Sequence, residues 1–284
     1  MSKVTANVNR PSNPLSVFRY RDFSFVWTST TLVGMGSQME AVVLAWFVLT
    51  LTDSPLLVGG ISAARMALNV LVLLAGAVAD RVPRNRLLAT VEFSMTIFCV
   101  AMLLLILSGK LETWHIFAIA ITAGMVRVFH IPAAQSLVAD TLPEDRIGNG
   151  AAINTLGRNI AMLVGPLIGG LLFKRFGPDG AYIAIAFLYL LSGLFALGIK
   201  STGTVAQRKQ ESVAHTVFQG LRYVKSQQVI WGTLVLALII ESSGTTFHTT
   251  LMPIFARNEL GADSAGLGWL LFAFGAGAVT ASLS

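Results

Sequence analysis

Long apolar runs and short polar breaks alternate along almost the whole chain. Eight apolar segments stand out, at about 23–51, 55–80, 86–108, 114–138, 148–173, 180–199, 229–256 and 264–284. Most reach the roughly 20 residues that a helix needs to cross the hydrocarbon of a bilayer. Backbone N–H and C=O groups find no water there, so each segment is predicted to close its own hydrogen bonds as a helix. Alternating barrel strands of about 10 residues are not seen. The pattern predicts an all-α membrane protein.

The polar breaks divide the chain. Residues 1–22 carry two prolines and four basic residues. They lack the basic start, short apolar core and cleavage site of a signal peptide, and read as a cytoplasmic tail. Six spans occupy residues 23–199. The longest connection, residues 200–228, places Val213, Val217, Leu221 and Val224 at helical spacing, with Arg222 and Lys225 toward the other side. That predicts an amphipathic helix lying on the inner membrane surface. Residues 229–284 begin a second unit with the seventh and eighth spans. Asp53-Ser54 opens the second span and Asp263-Ser264 the eighth, an offset of 210 residues. Two halves with that offset make roughly 400 residues, the paired plan of many transporters. The counterpart of Asp80 would then fall beyond Ser284, so the sequence is expected to be truncated, lacking most of its second half.

Composition narrows the class. The 284 residues are 54% hydrophobic and 12% charged, with mean hydropathy +0.71. A soluble domain carries about 25% charged residues, so too few remain here to coat a water-facing surface. The net charge of +6 and pI of 9.8 do not point to nucleic acid, because the basic residues are scattered over short loops with no aromatic-basic platform. They point to topology. Thirteen lysines and arginines fall in the tail and the loops on its side, against Lys110, Lys174, Arg175 and Arg257 on the other. This predicts a cytoplasmic N-terminus in the inner membrane. The lone Cys99 has no intrachain partner and reads as a core residue. There is no phosphate loop, so no direct use of ATP, and no His-Glu-x-x-His metal site. No nucleophile elbow or other catalytic constellation is visible. Neither an enzyme nor a cofactor is expected.

The turn between the second and third spans, Gly76 to Arg86, is strongly basic, and Asp80 sits directly beside its cations. An acid there suggests a specific ionic contact as well as topology. Gly76, Asp80, Arg81 and Arg84 match the pattern Gly-x-x-x-Asp-Arg-x-Gly-Arg-Arg/Lys, and in this the chain resembles the major facilitator superfamily. Pro83 stands in place of the pattern's second glycine and Asn85 in place of a basic residue. Gly165-Pro166-Leu167-Ile168-Gly169-Gly170 resembles the Gly-Pro-x-x-Gly-Gly antiporter motif of drug exporters. Phe18 to Phe23, Ala63-Ala64-Arg65 and Gly220 to Val224 are similar to the macrolide-efflux and enterobactin-exporter-like branch.

The resemblance implies a major facilitator fold, with a six-helix N-terminal bundle followed by the first two helices of a second bundle. The bundles rock around a central site. Asp80 would contact the second bundle and lock the cytoplasmic side, with Arg84 and Asp140 completing the gate. The glycines of the fifth span would allow close helix contact. The implied activity is proton-coupled export of small amphiphiles. An importer or uniporter on the same fold is the alternative, and a non-transporting sensor or scaffold a more distant one.

Six ionisable residues lie within spans: Glu40, Arg65, Glu92, Arg127, Arg158 and Glu241. Each is costly in hydrocarbon, by at least about 2.5–3.5 kcal/mol for Arg or Asp, so acids and arginines are expected to pair inside the bundle. Glu40 shares a helical face with Ser29, Gly36 and Ser37. Arg127 shares one with His130, and Arg158 shares one with Asn154, Ala161 and Gly165. Glu40 with either Arg127 or Arg158 is the expected buried pair, and protonating the acid would free a charge for substrate or movement. Glu92 is read as a structural residue, and for Arg65 and Arg158 packing weighs at least as much as a functional contact. Glu241, Thr245 and His248 line one face of the seventh span ahead of Pro253, which is expected to kink it. Glu40, Arg127, Arg158, Glu241 and His248 are the substrate and proton candidates.

Overall fold

A computed structural model describes residues 14–79, 81–201, 227–233, 235–236 and 247–283. Nine helices are named here: α1 (Arg21–Thr52), α2 (Pro55–Ala67), α3 (Val72–Ala79), α4 (Arg84–Leu107), α5 (Thr113–Arg127), α6 (His130–Asp140), α7 (Ile147–Leu197), α8 (Met252–Asn258) and α9 (Ser264–Leu283). No strand occurs among the described residues. Four helical stretches there are long and apolar enough to cross a membrane: Arg21–Thr52, Arg84–Leu107, Thr113–Asp140 and Glu144–Leu197.

Local chemistry sets the breaks. α1 ends where Asp53 turns left-handed at φ 50°. Ser54 then caps α2, its hydroxyl accepting from the Leu57 N–H, with Pro55 in the first turn, where its missing N–H costs nothing. The second span, expected as one helix over 55–80, is interrupted by a 3-10 turn at Leu68–Leu71. The fourth span, expected unbroken, divides at Val128 and Phe129. Pro132 explains the second break: it has no N–H to return to the Val128 carbonyl, and its ring crowds that carbonyl. The two breaks face each other, because Leu68 packs where a side chain on Gly124 would stand.

The fifth and sixth spans are the two arms of α7, joined at Gly177 (φ 71°, ψ −173°). Gly165 lies against Met35 and Gln38 of α1, while Tyr189 touches Gly36 of the same helix. A straight helix would separate residues 165 and 189 by roughly 36 Å, so the arms fold back into a hairpin along α1.

α7 also packs against α4 and α9. Inside the bundle the apolar core forms two clusters. One contains Val33, Met95, Ala123 and Tyr189. The other contains Val26, Ala89, Ala133 and Ala196 and lies toward the Arg84 end. A third, smaller cluster joins Val42 and Trp46 of α1 to Ala256 of α8 and to Leu267 and Leu271 of α9. The stretch Ser212–Gln228, expected as an amphipathic helix, falls outside the described residues except for Gln227 and Gln228.

Candidate functional site

Glu40 is the centre of the site. It is buried in α1, one turn after Gly36 and Ser37. Arg127 donates through Nη2 to Glu40 Oε2 at 2.5 Å and to the Tyr189 hydroxyl at 3.1 Å, and through Nη1 to Ser37 Oγ at 2.7 Å. Tyr189 donates its own O–H to Glu40 Oε2 at 2.8 Å. Arg65 approaches the other carboxylate oxygen at 3.8 Å. Gly36 makes room: a Cβ there would stand 3.3 Å from the Tyr189 ring.

The helix breaks place both arginines. Arg65 lies in the last turn of α2, and Arg127 closes α5. Helix C-termini carry partial negative charge, which favours a cation there. One carboxylate between two guanidiniums leaves these three groups with a net charge of +1. The two arginines border a cavity of about 300 Å³ whose other walls include Leu44, Val48, Val58 and Ile61. A mostly apolar hollow with a few converging polar groups is the usual form of a small-molecule site.

The sequence left Glu40 with two possible partners, and the geometry brings in Arg127. Arg158 is exposed on α7 and forms no ion pair among the described residues. Glu241 lies outside those residues. His248 falls in a π-helical turn, Phe247–Leu251, which leads directly into α8 with Pro253 in its first turn. The kink expected at Pro253 is therefore taken up by this wider turn just before it. Sequence reasoning missed Tyr189, which looks like one more apolar residue in its span. It also left Arg65 out of the substrate and proton candidates. The signal for Tyr189 was its place on a small-residue face, one turn before Ser192 and Gly193.

Residues 12–284 match the family model described as a transmembrane secretion effector, within the major facilitator superfamily. The chain belongs to the major facilitator superfamily. It is 30% identical over 187 residues to multidrug resistance protein MdtG of Serratia proteamaculans, covering 66% of this chain and 43% of that one. It is 25% identical over 262 residues to multidrug efflux pump Tap of Mycolicibacterium fortuitum, covering 88% and 63%. It is 22% identical over 266 residues to the staphyloferrin A transporter of Staphylococcus aureus, covering 91% and 65%. The chain thus spans about half to two thirds of the length of these curated relatives. Its fold is similar to the crystal structure of a bacterial homolog of the human lysosomal transporter Spinster, inward-facing and unoccupied. The TM-score is 0.69 with 14% identity, covering 93% of this chain and 60% of that one. With its long apolar helices, the chain is a multi-pass membrane protein of this superfamily.

The described residues of the basic-turn motif lie at one end of the bundle. There Arg84 Nη1 meets Asp140 Oδ2 at 2.6 Å, both largely buried. Asn85 donates to the Ile199 carbonyl at 2.9 Å, so the residue that departs from the motif ties α4 to the end of α7. Arg81 is exposed, Gly76 has open space where a Cβ would stand, and Asp80 lies outside the described residues.

The Gly-Pro-x-x-Gly-Gly stretch holds α7 between two helices. A Cβ on Gly169 would stand 3.1 Å from Met39 Cα and O of α1, and Gly170 faces the Ser264 carbonyl of α9. Ser264 Oγ donates back to the Gly170 carbonyl at 3.0 Å. Gly268 of α9 abuts the Pro166 carbonyl.

At the end opposite Arg84, Arg257 bridges Asp53 at 3.0 Å and donates to the Leu49 carbonyl at 2.6 Å, while Lys174 meets Asp263 at 2.7 Å. The Lys174 ammonium, with help from the Gly266 N–H, holds the Asp263 carboxyl below its usual value. A depressed value means that the contribution to stability is present above the unfolded value, about 3.9, and is lost as pH falls through the lower folded one. Asp263→Asn is therefore expected to lower the melting temperature slightly at neutral pH and not at all in strong acid. The effect should be small because both partners are exposed. A difference that persisted below about pH 2 would refute this reading of the contact.

Proposed function

We propose that the protein exports small amphiphilic molecules by alternating access, driven by proton uptake. The observation that carries this is the buried Glu40–Arg127–Tyr189 cluster, whose Arg127 borders an apolar cavity together with Arg65. A membrane-buried acid held by two arginines exchanges one strong contact for another when it gains a proton. Protonated Glu40 releases Arg127 and Arg65, and the freed guanidiniums change both the cavity charge and the hold between α1, α2 and α5. Glu241 and His248 of the seventh span are further candidates for the cavity wall. Arg158, exposed on α7, stays outside it.

In this reading residues 23–199 form the first bundle behind a cytoplasmic tail at 1–22. Residues 200–228 are the linker, and 229–284 begin the second bundle. The chain sits in the inner membrane with its N-terminus cytoplasmic. Gly76, Asp80, Arg81, Arg84 and Asp140 gate the inner side. The Arg257–Asp53 and Lys174–Asp263 pairs then lie on the outer side and hold it closed, with Gly165, Pro166, Gly169 and Gly170 as the surface on which α1 and α9 slide. The relatives named for multidrug efflux and for staphyloferrin A support a small-molecule cargo.

The test is Glu40→Gln in everted vesicles, with an amphiphilic dye as cargo. The expected result is a loss of pH-gradient-driven dye transport of about 5- to 150-fold, the usual range of a coupling free energy, with dye binding retained. Unchanged gradient-driven transport in Glu40→Gln removes Glu40 from coupling. Dye movement in the opposite sense makes the protein an importer.

A further inference from the structure

A second buried polar cluster lies apart from the Glu40 site. Each of four helices contributes one member: Ser29 from α1, Glu92 from α4, His130 from α6 and Ser192 from the second arm of α7. Ser29, Glu92 and Ser192 have no exposed surface at all. Ser29 Oγ donates to Glu92 Oε1 at 2.7 Å and lies 3.2 Å from Ser192 Oγ, which donates to the Ser29 carbonyl at 2.9 Å. His130 Nε2 stands 3.6 Å from Glu92 Oε1, just outside hydrogen-bond range. Glu92 Oε2 and His130 Nε2 are buried and have no hydrogen-bond partner.

Its position is systematic. Along α1, Ser29 falls between Val26 of one apolar cluster and Val33 of the other. Along α4, Glu92 falls between Ala89 and Met95. Along α7, Ser192 falls between Ala196 and Tyr189, and along the fourth span His130 falls between Ala133 and Ala123. The four residues therefore form a polar layer that divides the apolar core of the bundle in two. Among the described residues, His130 is the one titratable or charged group within ion-pair distance of Glu92. The faces from α1 and α7 offer neutral hydroxyls, and no arginine compensates the acid as Arg127 does Glu40.

An isolated carboxylate in such a place costs several kcal/mol, and buried polar atoms are nearly always partnered. One proton added to the pair removes the net charge and gives Nε2 a partner. It makes the unit neutral, either as a carboxylic acid beside imidazole or as a carboxylate beside imidazolium, and it supplies the hydrogen that the gap between Nε2 and the carboxyl lacks. We propose that Glu92 and His130 together bind one shared proton, at a site separate from the Glu40 cluster. The proton comes from water and returns to it, and no other bond changes.

The pair has a mechanical consequence. His130 is the first residue of α6 and Asp140 the last, and the break at Val128 and Phe129 frees α6 from α5. Closing the gap from 3.6 Å to hydrogen-bond distance moves the helix that carries the partner of Arg84. The proposal does not depend on Glu40 being the coupling residue.

The test is infrared difference spectroscopy between about pH 5 and pH 9 on the purified protein in lipid, with nitrogen-15 NMR of labelled histidines. The expected result is a C=O band from a protonated carboxyl that disappears in Glu92→Gln, shifts in His130→Gln and survives in Glu40→Gln. The His130 imidazole titration should move in Glu92→Gln. A band that His130→Gln leaves unshifted, together with a His130 titration blind to Glu92→Gln, overturns the shared site. If Glu92→Gln does not fold, the wild-type nitrogens decide. A change in the His130 nitrogen resonances over the same pH range as the carboxyl band supports the pair, and resonances that stay constant through that range overturn it. Loss of the band in Glu40→Gln alone would assign the proton to Glu40 and likewise overturn the proposal.

Discussion

Arg127→Ala is expected to cost about 3–5 kcal/mol of stability, the usual result of removing one partner from a buried ion pair. Arg127 makes three hydrogen bonds, to Glu40, Ser37 and Tyr189. Its loss leaves the Glu40 carboxylate with Tyr189 and with Arg65 at 3.8 Å, too long for a strong hydrogen bond. Arg65→Ala should therefore cost clearly less. The decisive comparison is the double variant. If the penalty comes from an uncompensated charge, Glu40→Gln added to Arg127→Ala restores part of the lost stability, because the orphaned group is then neutral. Thermal unfolding in detergent measures all four proteins. Simple additivity of the two losses would mean that Arg127 acts through packing alone, since independent sites add.

Gly169→Leu is expected to be the second most damaging change, at about 1–3 kcal/mol from overpacking. The new Cβ would stand 3.1 Å from Met39 Cα and O, which are backbone atoms of α1 and cannot rotate away. α7 must then lift from α1, loosening the adjoining contact between Gly170 and Ser264 of α9. Gly148→Ala is the control, because it lies in α7 with open space where a Cβ would stand. It should be neutral or mildly stabilising, by about 0.4–1 kcal/mol from reduced freedom of the unfolded chain. Equal melting temperatures for wild type and Gly169→Leu would show that the close contact between these helices is not needed.

The spans were legible because lipid imposes one rule. A segment without water must satisfy its own backbone, so length and hydropathy alone locate α1, α4 and both arms of α7 to within a few residues. The breaks inside the second and fourth spans were not legible as such. Pro132 was visible and acts locally, but that its break faces the one in the second span, with Leu68 against Gly124, was not. The family motifs were legible as strings, while the role of Asn85 appeared only once Ile199 came into reach of its amide.

The candidate site divides in the same way. That Glu40 and Arg127 must be neutralised inside the bundle follows from sequence, since a lone charge in hydrocarbon is too costly to leave unpaired. Which arginine answers Glu40 does not follow. Arg127 and Arg158 are equally cationic and equally central in their spans, and only packing turns one toward Glu40 and the other outward. Tyr189 and the layer of Ser29, Glu92, His130 and Ser192 come from several helices; Tyr189 and Ser192 went unremarked, and Ser29, Glu92 and His130 were noted only within their own segments. Sequence by itself determined the helices, their number of charges and the need to pair them, because those depend on local composition and on the bilayer. Tertiary structure alone decided the partners, because a partner is set by how helices rotate and approach, and that is fixed by contacts between residues of different helices, distant in the chain.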